Sequence, residues 1–119
     1  MSLDINCDRD ENVFIVRASG DMDFHNFRIL RTTVEEALIE GERKFVLDLS
    51  KIIYLDSSAL GSLLYSQKKI REQRGSLAII SSDALADILK LTHLDSYFHI
   101  VDSVDEGNQW VKTSAPSAS

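Results

Sequence analysis

The feature that most constrains the fold is a change of hydrophobic period that repeats along the chain. Val13-Phe14-Ile15-Val16-Arg17-Ala18 is β-branched and apolar and reads as a strand. After it, Phe27, Leu30, Val34, Ala37 and Leu38 recur at helical spacing. That spacing predicts an amphipathic helix over about residues 24–40, closed by Gly41. The period then switches back. Phe45-Val46-Leu47-Asp48-Leu49 predicts a buried strand, and Leu60, Leu63, Leu64 and Ile70 predict a second helix over about 58–74, stopped by Gly75. Lys68, Lys69, Arg71 and Arg74 near its C-terminal end complement the helix dipole and read as a solvated face. A third round follows, with Leu77-Ala78-Ile79-Ile80 as a strand and Leu85, Ile88 and Leu89 on a short helix. His99-Ile100-Val101 reads as a last short strand; Val104, Trp110 and Val111 predict a final helix, with Trp110 as a core anchor.

At the start of the chain, Leu3, Ile5 and Cys7 alternate with polar residues and predict a first strand paired antiparallel with 13–18. Gly20-Asp21 reads as a turn, and Ile52-Ile53-Tyr54-Leu55 as the central strand running out into a loop that ends at Asp56. Strands alternating with helices imply an α/β domain, with helices packed on a mixed, mostly parallel sheet. A chain of 119 residues suits one domain, and 44% hydrophobic residues supply one core. Residues 1–112 read as that domain. The segment 113–119, small and polar and holding the only proline, reads as a disordered tail.

Charge and cysteine usage remove several classes of function. The net charge is −6 and the pI about 4.9, against nucleic-acid binding through phosphates and against adhesion to an anionic membrane. No apolar run is long enough to insert into a bilayer, and the first residues lack the basic and apolar regions of a secretory signal. Cys7 is the only cysteine, so it forms no internal disulfide; it reads as a small buried or half-buried residue in a reducing, cytoplasmic setting. His25, His93 and His99 lack metal-ligand spacing, so no metal or cofactor is expected, and His93 reads as an ordinary helix-end residue.

The chemistry is concentrated in Tyr54-Leu55-Asp56-Ser57-Ser58-Ala59-Leu60-Gly61, where a strand delivers Asp56, Ser57 and Ser58 to the start of a helix. Asp and Ser cap the orphan N–H groups of a helix start, and a cap is the reading that local chemistry favours. The same geometry tolerates an anion, because the free N–H groups and the positive end of the dipole face it. A phosphoryl group there would leave the fold intact and place about two negative charges on the surface.

The sequence resembles the STAS family, specifically the bacterial anti-sigma factor antagonists, over about residues 3–112. Gly20-Asp21-Met22-Asp23 resembles the family's turn before the first helix. Phe45 to Ser50 resembles its central strand, and Tyr54 to Gly61 its signature loop and helix start. Ala59 stands where the family commonly has glycine, a residue that still fits a helical position. The resemblance implies phosphorylation on Ser57, with adjacent Ser58 as the fallback. It implies an anti-sigma factor that is itself a serine-protein kinase as partner, and a metal-dependent serine phosphatase that reverses the modification. Gly20 to Asp23 and Tyr54 to Gly61 would then form the partner surface, and the turn and loop would lie side by side. By local sequence alone, Asp21 and Asp23 read as a solvated, helix-capping pair.

Two other classes compete. A serine-dependent enzyme would use Ser57 or Ser58 as nucleophile, but no Gly-x-Ser-x-Gly elbow, phosphate-binding glycine loop or placed histidine base is present, and no catalytic residue is expected. An accessory subunit of a membrane transport system is the third class; such STAS domains often lack the serine that Ser57 supplies here.

Overall fold

A computed structural model describes residues 2–114. β1 (Leu3–Asp10) and β2 (Val13–Met22) form an antiparallel hairpin that pairs Leu3 with Gly20 and Asp10 with Val13. The chain then runs through α1 (Phe27–Ile39), β3 (Lys44–Leu55), α2 (Ser57–Glu72), β4 (Ser76–Ile80), α3 (Asp83–Leu91) and β5 (His99–Val101) to α4 (Val104–Thr113). The strands lie in the order β1-β2-β3-β4-β5, and every pair after the first is parallel. This is the mixed, mostly parallel α/β sheet that the alternating periods predict.

Each parallel crossover advances the sheet by one strand, and crossovers of one hand put their helices on one face. Leu30 and Val34 of α1, Leu63 and Ile70 of α2, and Leu85 and Leu89 of α3 accordingly share a core with Val16, Phe45, Leu47 and Ile79. α4 covers the other face, where Val111 packs with Val13, Ile15, Val46, Ala78 and Ile80. Apolar residues on both faces explain why the strands read as near-continuous apolar runs.

Several elements differ from the sequence reading. Residues 52–55 belong to β3 and pair with β2 as far as Leu55 opposite Met22. The register slips twice, from Arg17 opposite Asp48 to Ser19 opposite Lys51, and from Gly20 opposite Ile52 to Asp21 opposite Tyr54. Each slip inserts one extra residue into β3, so Leu49, Ile52 and Leu55 reach the same core at a spacing of three instead of two. Gly20 and Asp21 lie within β2, not in a turn. α2 ends on Arg74 in the left-handed conformation, with Arg74 N–H bonded to the Arg71 carbonyl and Gly75 N–H to that of Ile70. Gly75 is needed for another reason: a Cβ there would lie 2.5 Å from the Arg43 carbonyl oxygen. His93 likewise closes α3 in the left-handed conformation.

Cys7 is exposed, not buried, on edge strand β1 opposite Val16; the partial desolvation of its thiol pushes the pKa up. Trp110 is half-buried at the border of the second core, stacked on His99 at a centroid distance of 3.8 Å. α4 includes Thr113, so the segment read as a tail starts inside the helix, and 115–119 lie outside the described residues.

Candidate phosphorylation site

Leu55 is buried in the main core and fixes where β3 ends. Asp56 follows in extended conformation and caps α2, its Oδ1 accepting from Ala59 N–H at 3.1 Å. The first intrahelical bond runs from Leu60 N–H to the Asp56 carbonyl at 3.0 Å. Ser57 is therefore the first residue of the helix and is exposed, whereas Ser58 is half-buried. The amides of Ser57 and Ser58 precede that first intrahelical bond, the ones a helix start leaves available to an anion. Ala59 and Leu60 are buried beneath them, and Gly61 is exposed.

The second predicted segment meets the first. Asp56 N–H points to the Met22 carbonyl at 3.4 Å, closing the end of the β2–β3 ladder. The chain then turns through residues 23–26 on its own side chains. Asp23 N–H donates to Asn26 Oδ1 at 2.8 Å, His25 N–H to Asp23 Oδ1 at 2.9 Å, and Asn26 Nδ2 to the Asp21 carbonyl at 2.9 Å. The other Asp56 oxygen, Oδ2, accepts from Phe24 N–H at 2.9 Å, across 32 positions of sequence. One carboxylate thus ties the turn to the start of α2. Ser62 adds a second tie, its hydroxyl donating to the Phe27 carbonyl at 3.0 Å.

The two predicted segments are adjacent, and their residues divide by role. Asp23, Tyr54, Ser57, Ser58 and Gly61 reach the surface at least in part. Met22, 1% exposed, lies with Leu55, Ala59 and Leu60 in the core, so these side chains hold the surface up from below. Asp21 is only 6% exposed, which corrects its reading as a solvated cap; Asp23 does serve its own turn. Gly20 is required by geometry. Its φ is +103°, and a Cβ there would lie 2.2 Å from the Ser2 carbonyl oxygen, which accepts from Asp21 N–H at 3.1 Å. The sequence reading missed Phe24 and Ile53, which are 64% and 75% exposed beside the site. Phe24 stands outside the helical spacing that begins at Phe27, and that was the available signal. Among the described residues, no group of three or more His, Cys, Asp or Glu could hold a metal ion, and no helix is long and apolar enough to cross a membrane.

These features define a small α/β domain with an exposed serine at a capped helix start. Residues 4–107 match the family model described as the STAS domain, and the chain belongs to that family. It is 30% identical over 106 residues to the anti-sigma F factor antagonist of Paenibacillus polymyxa, covering 88% of this chain and 89% of that protein. An anti-sigma factor antagonist from Mycobacterium paratuberculosis superposes with a TM-score of 0.81 at 22% identity, over 93% of this chain and 95% of that one. The Bacillus cell fate determinant SpoIIAA, at 15% identity, superposes in its unphosphorylated form with a TM-score of 0.73, over 93% of this chain and 100% of that one. Its phosphorylated form gives 0.72, over 91% and 99%. These three structural likenesses, each below 25% identity, establish the fold.

Proposed function

We propose that this chain is an anti-sigma factor antagonist of a partner-switching pathway in the cytoplasm, and a binding module instead of an enzyme. In the unphosphorylated state it binds an anti-sigma factor and so frees the sigma factor. The anti-sigma factor, acting as a serine kinase, transfers the γ-phosphoryl group of ATP to Ser57 Oγ, releasing ADP and the hydroxyl proton. The phosphoserine ends binding, and a metal-dependent serine phosphatase hydrolyses the ester.

The observation that carries this reading is the position of Ser57, exposed at the first residue of α2 while Ser58 is half-buried. A kinase needs a reachable hydroxyl, and a reversible switch needs a fold that accepts the product. The relatives named as anti-sigma factor antagonists support the assignment.

Titration calorimetry with a purified anti-sigma kinase tests it. Ser57→Ala should bind about as well as the unmodified chain. Ser57→Asp should bind much more weakly, and the phosphorylated chain more weakly still. Equal affinity for all of them, or phosphate mapped by mass spectrometry to a residue outside 57–58, would remove the switch.

A further inference from the structure

Among the described residues, the five most exposed large apolar side chains divide between the two ends of the sheet. Ile39 and Leu91 end α1 and α3. Those helices start beside the C-terminal ends of the parallel strands and finish at the opposite end of the sheet from Ser57. Phe24, Ile53 and Tyr54 lie at the Ser57 end. Phe24 is distinctive among these three because its backbone is bonded directly to the switch, through the Phe24 N–H to Asp56 Oδ2 bond of 2.9 Å.

Resting on the function proposed above, we propose that Phe24 is the apolar anchor of the interface with the anti-sigma kinase, and that Asp56 is the positioning residue that holds it against Ser57. Two observations carry this. Phe24 is 64% exposed on a turn whose Asp23 and His25 amides are bonded within the turn, to Asn26 and Asp23, so the ring is left free of the core. The carboxylate that holds the turn belongs to the residue preceding Ser57 and also caps the helix that Ser57 begins. The turn that displays Phe24 is therefore bonded to the residue that precedes Ser57. Aromatic rings, Phe among them, are enriched at the cores of protein interfaces, where a few side chains carry most of the binding energy. The anti-sigma kinase is the occupant because it must reach Ser57, and the Phe24 turn is tied through Asp56 to the helix that Ser57 begins.

The mechanism of coupling follows from charge. A phosphoserine at position 57 puts a dianion next to the Asp56 carboxylate, and both compete for the amides of one helix start. The modification thus acts on the bond that positions Phe24 as well as on the surface around Ser57.

The test uses the full chain and the purified anti-sigma kinase that binds the Ser57→Ala form. Phe24→Ala should weaken binding by about 30-fold or more, and Phe24→Leu by only about fivefold. Melting temperatures should stay near that of the parent, since the ring is exposed. In the kinase reaction, Phe24→Ala should raise KM for the chain while kcat at saturation is kept, because the ring binds and does not react. Asp56→Asn should weaken binding while Phe24 is intact, and amide hydrogen exchange at Phe24 should accelerate. Equal affinity of Phe24→Ala and the parent chain overturns this inference and leaves the antagonist reading standing. Unchanged exchange at Phe24 in Asp56→Asn overturns the positioning role. Failure of the unsubstituted chain to bind any anti-sigma kinase overturns the antagonist reading, and this inference with it.

Discussion

Asp56→Ala should destabilise the chain by more than the loss of an ordinary helix cap. Two bonds are removed. The bond from Ala59 N–H to Oδ1, 3.1 Å long, is an N-cap bond, typically ~1 kcal/mol. The bond from Phe24 N–H to Oδ2, 2.9 Å long, has a charged acceptor, a class contributing ~1.5–3 kcal/mol. Asp56 is half-buried, so water screens the second bond and the lower end applies. The sum is about 2–3 kcal/mol. For a domain of this size each kcal/mol moves the melting point by ~4 °C, which gives a fall of about 8–12 °C. An internal control exists. Ser103 caps α4 through a single bond from Glu106 N–H, also 3.1 Å, so Ser103→Ala should cost only ~1 kcal/mol, or ~4 °C. Urea titration and calorimetric melting of both variants measure the difference. If Asp56→Ala costs no more than Ser103→Ala, the bond to Phe24 contributes nothing, and the coupling of turn to helix is wrong.

The remaining expectations can be checked with the same assays. Phosphorylation of Ser57 should shift the melting point by only a few degrees, since a favourable dipole contribution of ~0.3–1 kcal/mol is opposed by repulsion from Asp56; global unfolding would mean that the loop is not the surface described here. Gly20→Ala should cost about 1–3 kcal/mol in backbone strain alone, with a further loss as its Cβ displaces the Ser2 carbonyl, read as a melting-point fall of ~4 °C or more. The hydrogen bond from Lys112 Nζ, 2.5 Å from Glu11 Oε1, and then the lysine charge, hold the Glu11 carboxyl below its usual pKa. That pair therefore stabilises the chain above the ordinary glutamate pKa, and its contribution is lost as pH falls through the lowered value. Melting against pH should show Glu11→Gln converging with the parent on the acid side, and divergence there would refute the pairing.

Much of the architecture was legible because burial imposes period. The runs Phe45 to Leu49 and Leu77 to Ile80 are apolar on both faces of a parallel sheet, and the spacing of Leu30, Val34, Ala37 and Leu38 is the buried stripe of α1. Ile52 to Leu55 reads from sequence as a strand running out into a loop, because two bulges in β3 break the alternation that marks a regular strand. Arg74 and Gly75 exchanged roles for a similar reason. Sequence shows a glycine after a helix, but only packing shows that the Arg43 carbonyl excludes a side chain at position 75 while Arg74 takes the left-handed turn. At the site, Asp56 was recognisable as a cap, since that bond is local. Its bond to Phe24 spans 32 positions and leaves no trace in spacing or composition.

The arrangement separates what holds the site from what the site displays. Met22, Leu55, Ala59 and Leu60 are buried and belong to the core, whose loss would cost kcal/mol apiece. Ser57, Phe24 and Tyr54 are exposed and contribute little to folding. A dianion added at Ser57 therefore acts on two unequal accounts. Within the domain it meets helix amides on one side and the Asp56 carboxylate on the other, a net change small against a typical stability of ~5–15 kcal/mol. In a closed interface the same group must lose water, at a cost of several kcal/mol if no cation replaces it, and each ~1.4 kcal/mol is a factor of ten in affinity. Under the proposed function, that inequality is what lets one covalent bond reverse an association without endangering the fold that carries it.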